Sequence, residues 1–371
     1  MSAEAAQRRS HPPIRVMVVD DSIVARAVLV RLLQNEPDIA VVAEANSGRS
    51  ALAALAVHRP DLTLLDLEMP DMGGLEALPE IIERGGGRVM VVSSACGEGA
   101  SASIHALRLG AADTLLKPGA GALAGSFARD LVEKIRRIAA EPSDLPKPGP
   151  RPLSIVPDEP ARPAAPRPAQ PRARGIDCVA IGASTGGVHA LAAFFAALPR
   201  SVAAPILVTQ HLPAPFMPYF VDQLQEMSGR PTKLACDGMQ LASGGIILAP
   251  GDAHIGLART RGIIHIKLER RRMPSGCTPS VDPMLTGVAD VFGAGGLAVI
   301  LSGMGRDGVL GAADLVAAGG EVLAQDAGSS VVWGMPGAVV TGGLARIALP
   351  PAALAREVAG RIEIQGAGAW I

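Results

Sequence analysis

The length, composition and charge of this chain restrict both its fold and its partners. Its 371 residues are 49% hydrophobic but only 2% aromatic, so they can form two domains whose cores consist of Ala, Val, Leu and Ile. Such cores are typical of helix-covered parallel sheets. The formal net charge of −1 leaves no basic excess, and we therefore expect no nucleic-acid partner.

The cysteines and the apolar segments indicate the cellular setting. The cysteines lie far apart and form no CxxC pair, which argues against a disulfide framework or a zinc site; they are Cys96, Cys178, Cys236 and Cys277. No apolar run is long enough to span a bilayer, and the start, MSAEAAQRRSHPP, lacks the apolar region of a secretory signal. We expect a cytoplasmic protein that does not insert into membranes.

Residues 14–137 alternate between short β-type runs and longer helical patterns. The β-type runs are IRVMVVD, AVVAEA, LTLLDL, RVMVVSS and ADTLLKP, and helical patterns such as SIVARAVLVRLLQNEP lie between most of them. Five strands in a βα alternation predict an α/β domain with a doubly wound parallel sheet of the flavodoxin-like type.

Polar side chains of defined chemistry follow four of these strands. Asp20 and Asp21 end the first strand, Asp66 the third, Ser93 the fourth and Lys117 the fifth. The carboxyl ends of parallel strands share one edge, so three carboxylates converge there, and Mg²⁺ would relieve their repulsion. A carboxylate can attack phosphorus, while the metal and the ammonium neutralise the charge of the transferred group. Each residue alone fits an ordinary cap or turn, but the ordered set favours a phosphoryl-transfer site.

This set resembles the receiver domain of response regulators over residues 14–137. The resemblance implies that Asp66 accepts the phosphoryl group. It also implies a Mg²⁺ site formed by Asp21, Asp66 and the carbonyl of Glu68, with Asp20 assisting.

The same resemblance implies how the phosphoryl group is sensed. Ser93 is the hydroxyl that contacts the phosphoryl oxygens, and Lys117 is the lysine that pairs with them. Receivers usually carry an aromatic residue three positions before this lysine, whose rotation reports phosphorylation. Here that position is Thr114, so the chain lacks the aromatic side chain on which such a relay depends.

A proline-rich segment separates the first domain from the rest of the chain. Between Glu141 and Arg174 there are 11 prolines among 34 residues. Proline at this density blocks helix and ladder pairing and favours extended, solvated backbone. We interpret residues 138–174 as a semi-stiff linker. No aromatic residue is interleaved with its arginines for base stacking, so a soluble linker is favoured over a nucleic-acid-binding arm.

Residues 175–371 predict a second α/β domain with a Rossmann-like parallel sheet. The runs IDCVAIGAS, APILVTQH, LAVILSG and EVLAQDA are separated by helical stretches. The runs GGIILAP, HIGLART and GIIHIKL instead follow one another closely, without helices. They predict an antiparallel β addition to this sheet.

The turn IGASTGG, residues 181–187, joins a strand to a helix and allows three interpretations. Its glycines could admit a dinucleotide, but their spacing does not match G-x-G-x-x-G. The single tyrosine, Tyr219, is followed four residues later by Gln223, so the Tyr-x-x-x-Lys pair of short-chain dehydrogenases is missing. The turn also satisfies G-x-S-x-G and would expose Ser184 as a nucleophile. The third interpretation is a purely structural turn, because the motif alone is weak evidence.

A serine nucleophile needs a general base, and that base needs an orienting carboxylate. His211 ends the next strand and Asp307 follows the strand VILSG, so both would lie at the edge that carries Ser184. The loop around Met304 offers free backbone N–H groups for an oxyanion hole. The order Ser, His, Asp along the chain differs from the order Ser, Asp, His of α/β-hydrolases.

Other histidines and aspartates compete for these two roles. The rivals are His254, His265, Asp252, Asp282 and Asp326. The two histidines lie in the predicted antiparallel region, where a buried structural histidine is favoured. Asp282 stands at a helix start, where a capping role is common.

With a receiver ahead of it, the second segment resembles the protein-glutamate methylesterase domain of chemotaxis. The resemblance rests on IGASTGG, QHLPAPFMPYF, LAPGDAHIGL, PSVD, LSGMGRDG, AQD and VVWGMP. It implies Ser184 as nucleophile, His211 as base, Asp307 as orienting acid and the Met304 N–H in the oxyanion hole, with no cofactor in this domain. The family usually has arginine before PSVD, whereas this chain has Thr278 within the unusual segment RRRMPSGCT. That departure concerns receptor contacts more than chemistry.

The resemblance also implies an activity and partners. Family members hydrolyse γ-glutamyl methyl esters on chemoreceptors, releasing methanol, and deamidate certain receptor glutamines, while a chemotaxis histidine kinase donates the phosphoryl group. The unphosphorylated receiver is expected to cover the esterase cleft, and phosphorylation of Asp66 to weaken that cover. We expect a monomer. The alternatives are a DNA-binding regulator, which requires a helix-turn-helix and a basic face, and a signalling scaffold with an inactive esterase fold.

Overall fold

The computed structural model describes residues 12–93, 98–117, 125–139 and 176–366. Most of the predicted linker, residues 140–174, lies outside these ranges, whereas residues 138–139 belong to the last helix of the first domain. Among the described helices, none combines the length and the hydrophobicity that crossing a membrane requires.

The first domain alternates strands and helices, as the sequence predicts. The strands are β1 (Ile14–Val19), β2 (Ile39–Ala45), β3 (Leu62–Leu65), β4 (Arg88–Ser93) and β5 (Asp113–Leu116). The helices are α1 (Ile23–Gln34), α2 (Gly48–Leu55), α3 (Gly74–Glu83), α4 (Glu98–Arg108) and α5 (Gly125–Ala139). The strands form one parallel sheet in the order β2-β1-β3-β4-β5, which confirms the doubly wound topology.

Burial on both faces explains why such apolar runs form strands of a parallel sheet. In β1, Val16 and Val18 belong to the core covered by α1 and α5, whereas Met17 and Val19 belong to the core covered by α2, α3 and α4. All four side chains are at most 1% exposed. With both faces covered, the carboxyl edge of the sheet is where polar side chains gather.

The second domain is built around a larger parallel sheet. Its strands are β6 (Cys178–Ala183), β7 (Ile206–Gln210), β8 (Thr232–Leu234), β9 (Ile246–Leu248), β10 (His254–Thr260), β11 (Ile263–Glu269), β12 (Gly296–Ile300), β13 (Glu321–Gln325) and β14 (Ile347–Leu349). Its helices are α6 (Gly187–Ala197), α7 (Met217–Ser228), α8 (Val281–Phe292), α9 (Val309–Ala317), α10 (Gly334–Thr341) and α11 (Pro351–Gly366). Seven strands pair in parallel in the order β14-β13-β12-β6-β7-β9-β8. Because β6 lies between β7 and β12, the loops that follow these three strands share one edge of the sheet.

The antiparallel region differs in part from the prediction. The run GGIILAP forms β9, which pairs in parallel with β7 and β8, so its assignment to an antiparallel addition was wrong. Ile246 and Leu248 are buried in the same core as the neighbouring strands, which explains why β9 joins the main sheet. Only β10 and β11 pair in an antiparallel way, and they form a separate two-stranded sheet.

The first domain packs directly against the second. Helix α4 contacts α6 and α7. At the end of α4, the Arg108 side chain forms an ion pair with Glu226 (3.2 Å). The carbonyl of Arg108 lies within hydrogen-bonding distance of His189 Nδ1 (3.2 Å). One continuous hydrophobic cluster includes side chains from both domains, among them Ile104 of α4 and Phe220 of α7. The first domain therefore rests on the face of the second domain that carries the helices next to the IGASTGG turn.

Candidate active site

The IGASTGG turn holds Ser184 at a sharp bend between β6 and α6. The Ser184 N–H donates to the Ser302 carbonyl (3.0 Å), and Gln210 Nε2 donates to the Ser184 carbonyl (2.8 Å). Gly186 has a φ of 75°, and a Cβ there would lie 2.4 Å from Val331 Cβ, so the bend requires glycine at this position. Ser184 itself stays partly exposed. These contacts fix the backbone of the turn and leave the hydroxyl free to meet a substrate.

The structure brings His211 and Asp307 together at the edge that carries Ser184. His211 follows β7 and Asp307 follows β12, the two strands on either side of β6. His211 Nε2 donates to Asp307 Oδ2 over 2.8 Å. Asp307 is 1% exposed and also accepts hydrogen bonds from Ser280 Oγ (2.6 Å) and from the Val281 N–H (2.7 Å). A carboxylate held by three donors is well placed to fix the orientation of the imidazole.

The electrostatics of this pair follow from burial and close contact. Burial alone would lower the pKa of His211, but its hydrogen bonds to Asp307 and Cys277 outweigh burial and raise this pKa to about 9. Burial alone would raise the pKa of Asp307, but the His211 imidazole and the Ser280 hydroxyl lower it to about 2. In this conformation the pair is therefore an imidazolium and a carboxylate at neutral pH. His211 has to release its proton before it can accept one from a serine.

The Ser184 hydroxyl and the Met304 N–H lie at the same edge of the sheet, and both are relevant to nucleophilic chemistry. Among the hydrogen bonds of the described residues, none joins the Ser184 hydroxyl to His211, and none uses the Met304 N–H. The neighbouring Gly303 is fixed, because its N–H donates to the Val332 carbonyl and its carbonyl accepts from the Met335 N–H. An unused N–H on a fixed loop can donate to an oxyanion.

The rival histidines occupy structural positions. His254 is fully buried; its Nδ1 accepts from the Ser280 N–H (2.8 Å) and its Nε2 donates to the Arg271 carbonyl (2.7 Å). Both ring nitrogens are thus engaged by backbone groups, and this histidine ties the ends of the 271–280 loop together. His265 lies within β11, where it pairs with Ala258 of β10.

The rival aspartates are also engaged elsewhere. Asp252 is exposed and pairs with Arg270, while Asp326 accepts from the Ser329 N–H and hydroxyl. Asp282 caps a turn by accepting from the Gly311 N–H (2.9 Å). Burial and the nearby charge of Asp307 raise the pKa of Asp282 to about 6.

The first domain places its predicted acidic residues together. Carboxylate oxygens of Asp20, Asp21 and Asp66 all lie within 4.8 Å of one another. Lys117 Nζ contacts Asp66 Oδ2 (2.7 Å) and Asp20 Oδ2 (2.9 Å). Burial raises the pKa of Asp66 despite the opposing Lys117 ammonium. A set of oxygen donors around a buried carboxylate fits a hard divalent cation such as Mg²⁺.

The other residues that the resemblance singled out in this domain lie near these carboxylates. Ser93 is buried at the end of β4, and its hydroxyl lies 2.6 Å from the Ser103 hydroxyl. The Glu68 N–H donates to Asp66. Thr114 is 5% exposed, and its hydroxyl oxygen has no hydrogen-bond partner among the described residues.

Sequence reasoning missed the direct contact between the first domain and the IGASTGG turn. Asp113 Oδ2 accepts from the Thr185 hydroxyl (2.6 Å) and pairs with Lys134 (2.7 Å). The Ala112 carbonyl accepts from the Gly186 N–H (2.7 Å). No short-range pattern could have indicated these contacts, because they join residues of different domains.

A cavity of about 390 Å³ lies between the two domains beside these contacts. Thr114, Lys117 and Phe127 of the first domain line one side of the cavity, and His211 and Leu212 of the second domain line the other. The first domain therefore lies over the imidazole in this conformation, and Lys117 and His211 line the same cavity.

Comparisons with known proteins agree with both halves of the chain. The response regulator receiver domain family matches residues 16–124, and the CheB methylesterase family matches residues 179–358. The protein-glutamate methylesterase/protein-glutamine glutaminase 1 of Paramagnetospirillum magneticum is 40% identical over 91% of this chain and 93% of its own length. The corresponding protein of Rhodopseudomonas palustris strain HaA2 is 38% identical, over 93% of each chain.

Solved structures of one relative resemble each half. The CheB methylesterase catalytic domain of Thermotoga maritima is 36% identical and covers 52% of this chain and 99% of its own, with a TM-score of 0.49. The response regulator domain of Thermotoga maritima CheB is 43% identical and covers 33% of this chain and 94% of its own, with a TM-score of 0.30. Because the sequence identity to the curated relatives extends over nearly the whole of both chains, this chain belongs to the protein-glutamate methylesterase/protein-glutamine glutaminase family, with a receiver domain ahead of its CheB methylesterase domain.

Proposed function

We propose that this protein hydrolyses γ-glutamyl methyl esters on chemoreceptors by a Ser-His-Asp mechanism and deamidates receptor glutamines at the same site. The observation that carries the proposal is the 2.8 Å hydrogen bond between His211 and the buried Asp307. These residues follow β7 and β12, the two strands that flank β6, and β6 leads into the turn that carries Ser184. The names of the curated relatives support the ester and amide substrates. We place the protein in the cytoplasm and propose that it acts as a monomer.

The proposed chemistry follows the proton through the triad. Ser184 Oγ attacks the ester carbonyl carbon while neutral His211 takes the hydroxyl proton, and Asp307 stabilises the imidazolium that forms. The Met304 N–H donates to the oxyanion of the tetrahedral intermediate. The intermediate collapses, the C–O bond to the methoxy group breaks, and the proton on His211 passes to the leaving group to give methanol.

The second half of the reaction restores the enzyme. A water molecule loses a proton to His211 and attacks the acyl-serine, and Ser184 regains the proton as the glutamate carboxylate leaves. An amide substrate follows the same path with ammonia as the leaving group. One triad serves both substrates, because ester and amide form the same kind of oxyanion.

We propose that phosphorylation of Asp66 by a histidine kinase controls this activity. Asp20, Asp21, Asp66 and the Glu68 carbonyl would hold Mg²⁺, which neutralises the charge of the transferred group when it is bound. Lys117 now contacts two of these carboxylates and would turn to the phosphoryl oxygens, and the Ser93 hydroxyl would donate to them. Ser93 ends β4 and Lys117 follows β5, the strand whose first residue, Asp113, accepts from the Thr185 hydroxyl.

The contact between receiver and esterase supports control by release of a cover. In the conformation described, the receiver holds the nucleophile turn and lies over His211. A phosphoryl group that disfavours this docked arrangement would shift the population toward an open one. A difference of a few kcal/mol between the two arrangements suffices for such a shift.

The direct test of the proposed function is methanol release from methylated receptor with and without a small phosphodonor and Mg²⁺. We expect the phosphodonor to raise the rate of the wild-type chain and to have no effect on Asp66→Asn, because the substituted amide cannot accept the phosphoryl group. Radiolabel from the phosphodonor on the wild-type chain alone provides the control. Equal stimulation of both proteins would contradict the assignment of Asp66.

We expect Asp113→Ala to raise the esterase rate of the unphosphorylated protein by about tenfold. The substitution removes the carboxylate that accepts from Thr185, and a hydrogen bond to a charged group contributes about 1.5 kcal/mol. The measurement is methanol release without phosphodonor. The matched control is Glu80→Ala, which removes an acidic side chain from the α3 surface, where it pairs with Arg84 at the end of the same helix. An unchanged basal rate in Asp113→Ala would show that this hydrogen bond does not hold the receiver in place.

A further inference from the structure

A third side chain with ligand character lies beside His211 and Asp307. The Sγ of Cys277, one imidazole nitrogen of His211 and one carboxylate oxygen of Asp307 all lie within 4.8 Å of one another. Cys277 belongs to the segment RRRMPSGCT, which stood out in the sequence and which the proposed hydrolysis does not use. The thiol is close enough to hydrogen-bond the imidazole.

We propose that Cys277, His211 and Asp307 form an inhibitory binding site for Zn²⁺. A thiolate, an imidazole and a carboxylate are the three ligand types that zinc takes in proteins, and three protein ligands leave its fourth tetrahedral position open. Mg²⁺ and Ca²⁺ prefer sets made only of oxygen and would not select this site. The spacing of the cysteines along the chain gave no sign of a zinc site. The three donors come from loops that are far apart in the chain, and they meet only in the folded protein.

The surroundings of the three donors hold them in place. Asp307 is fixed by the Ser280 hydroxyl and the Val281 N–H, as described above. The loop that carries Cys277 is fixed at both ends, since buried His254 binds the Arg271 carbonyl on one side and the Ser280 N–H on the other. Outer contacts that orient the ligands are a regular feature of zinc sites.

The site is accessible to an ion from solvent. Cys277 is partly exposed, and the residues before it, Pro274–Gly276, are exposed. Arginines in the same loop would repel a cation, but Arg270 and Arg271 are paired with Asp252 and Glu269, and the side chain of Arg272 is exposed to solvent, which screens its charge. Zinc binding displaces the proton of the Cys277 thiol and any proton on the coordinating imidazole nitrogen.

Occupation of the site would stop hydrolysis. An imidazole nitrogen that donates its electron pair to zinc cannot accept a proton, and a carboxylate bound to the ion no longer orients the ring. The inhibition rests on the proposed function, because it needs His211 to be the base. The binding of zinc does not depend on the proposed function. Measuring zinc binding and its inhibition of hydrolysis separately therefore distinguishes a failure of the site from a failure of the proposed function.

The experiment uses the full chain after removal of metal with a chelator. Co²⁺ is added as a spectroscopic substitute for Zn²⁺, and the near-ultraviolet charge-transfer absorption of a thiolate–cobalt bond is recorded. We expect this band in the wild type and in Cys236→Ser, which removes another exposed cysteine, and its loss in Cys277→Ser. Cobalt at the receiver carboxylates cannot produce the band, because those donors are oxygens.

Methanol release is then measured against buffered free Zn²⁺ in the presence of phosphodonor and Mg²⁺, and each protein is compared with its own zinc-free rate. We expect the zinc concentration for half-inhibition to rise by about tenfold or more in Cys277→Ser and to stay unchanged in Cys236→Ser. Absence of the thiolate band in the wild type, or equal inhibition of Cys277→Ser, would overturn the zinc site while hydrolysis stands. A thiolate band that depends on Cys277 in a protein without esterase activity would support the site and refute the proposed function.

Discussion

Replacing Ser184 with alanine is expected to lower methanol release by about 10⁶-fold, which brings it to the background of the assay. Loss of the nucleophile alone costs about as much as loss of a whole triad, because the three groups act as a unit. The methyl group of alanine is smaller than the hydroxymethyl group, and the turn is held by backbone contacts of Ser184 that alanine retains. The measurement is methanol release from methylated receptor in the presence of phosphodonor.

A second readout separates loss of chemistry from loss of fold. Phosphorylation of Asp66 depends on the first domain and is expected to remain unchanged in Ser184→Ala. A fluorophosphonate probe is expected to label the wild type and the control Ser201→Ala, which changes an exposed serine of the same domain, but not Ser184→Ala. Labelling or full activity of Ser184→Ala would refute the nucleophile assignment. Absence of labelling in every protein would favour the alternative of a scaffold with an inactive esterase fold.

The positions of the candidate residues could be predicted because each follows a strand of a parallel sheet. In such sheets the carboxyl ends of the strands share one edge, so the order of strands in the sequence is enough to bring Asp20 near Asp66, and His211 near Asp307. The runs that preceded these residues were long, apolar and separated by helices, which is the clearest signal for a parallel strand. The structure bears out both convergences.

The parts of the fold that were missed lack such a signal. Strands β8 and β14 have only three residues each, too few to show a period in the sequence. The position of β9 was assigned wrongly because nearness in the sequence to β10 suggested a hairpin, whereas burial on both faces places β9 in the parallel sheet. The DNA-binding alternative also loses its basis, since the second domain is a seven-stranded α/β sheet.

The family resemblance implied that the receiver covers the esterase cleft, but the residues that make the contact could not be predicted. The hydrogen bond from Thr185 to Asp113 joins residues 72 positions apart across a linker, and neither residue belongs to a motif for domain docking. Thr114 shows the same limit. Its sequence position indicated only that the usual aromatic is absent, whereas the structure shows that it lines the cavity between Lys117 and His211. The physical reason is that docking depends on surface shape, which a periodic pattern does not encode.

The choice among the aspartates required distances, and it leads to a prediction with a matched pair of variants. Asp307 and Asp282 are both buried, but only Asp307 hydrogen-bonds the His211 imidazole. We expect Asp307→Asn to lower kcat by about 10⁴-fold, because a neutral amide no longer stabilises the imidazolium and can hold the ring in the wrong tautomer. We expect Asp282→Asn to lower it by less than about tenfold, because its carboxyl acts as a turn cap.

The two variants also differ in their effect on the protonation of His211. The raised pKa of His211, about 9, depends on the Asp307 carboxylate, so Asp307→Asn is expected to shift this pKa downward, as burial alone would. Asp282→Asn removes a charge that burial and the nearby Asp307 carboxylate already disfavour, since they raise the pKa of Asp282 to about 6. NMR titration of the His211 ring protons, together with kcat for methanol release, measures both effects. Equal losses of kcat in the two variants, with the His211 titration unchanged in both, would mean that another group orients the base.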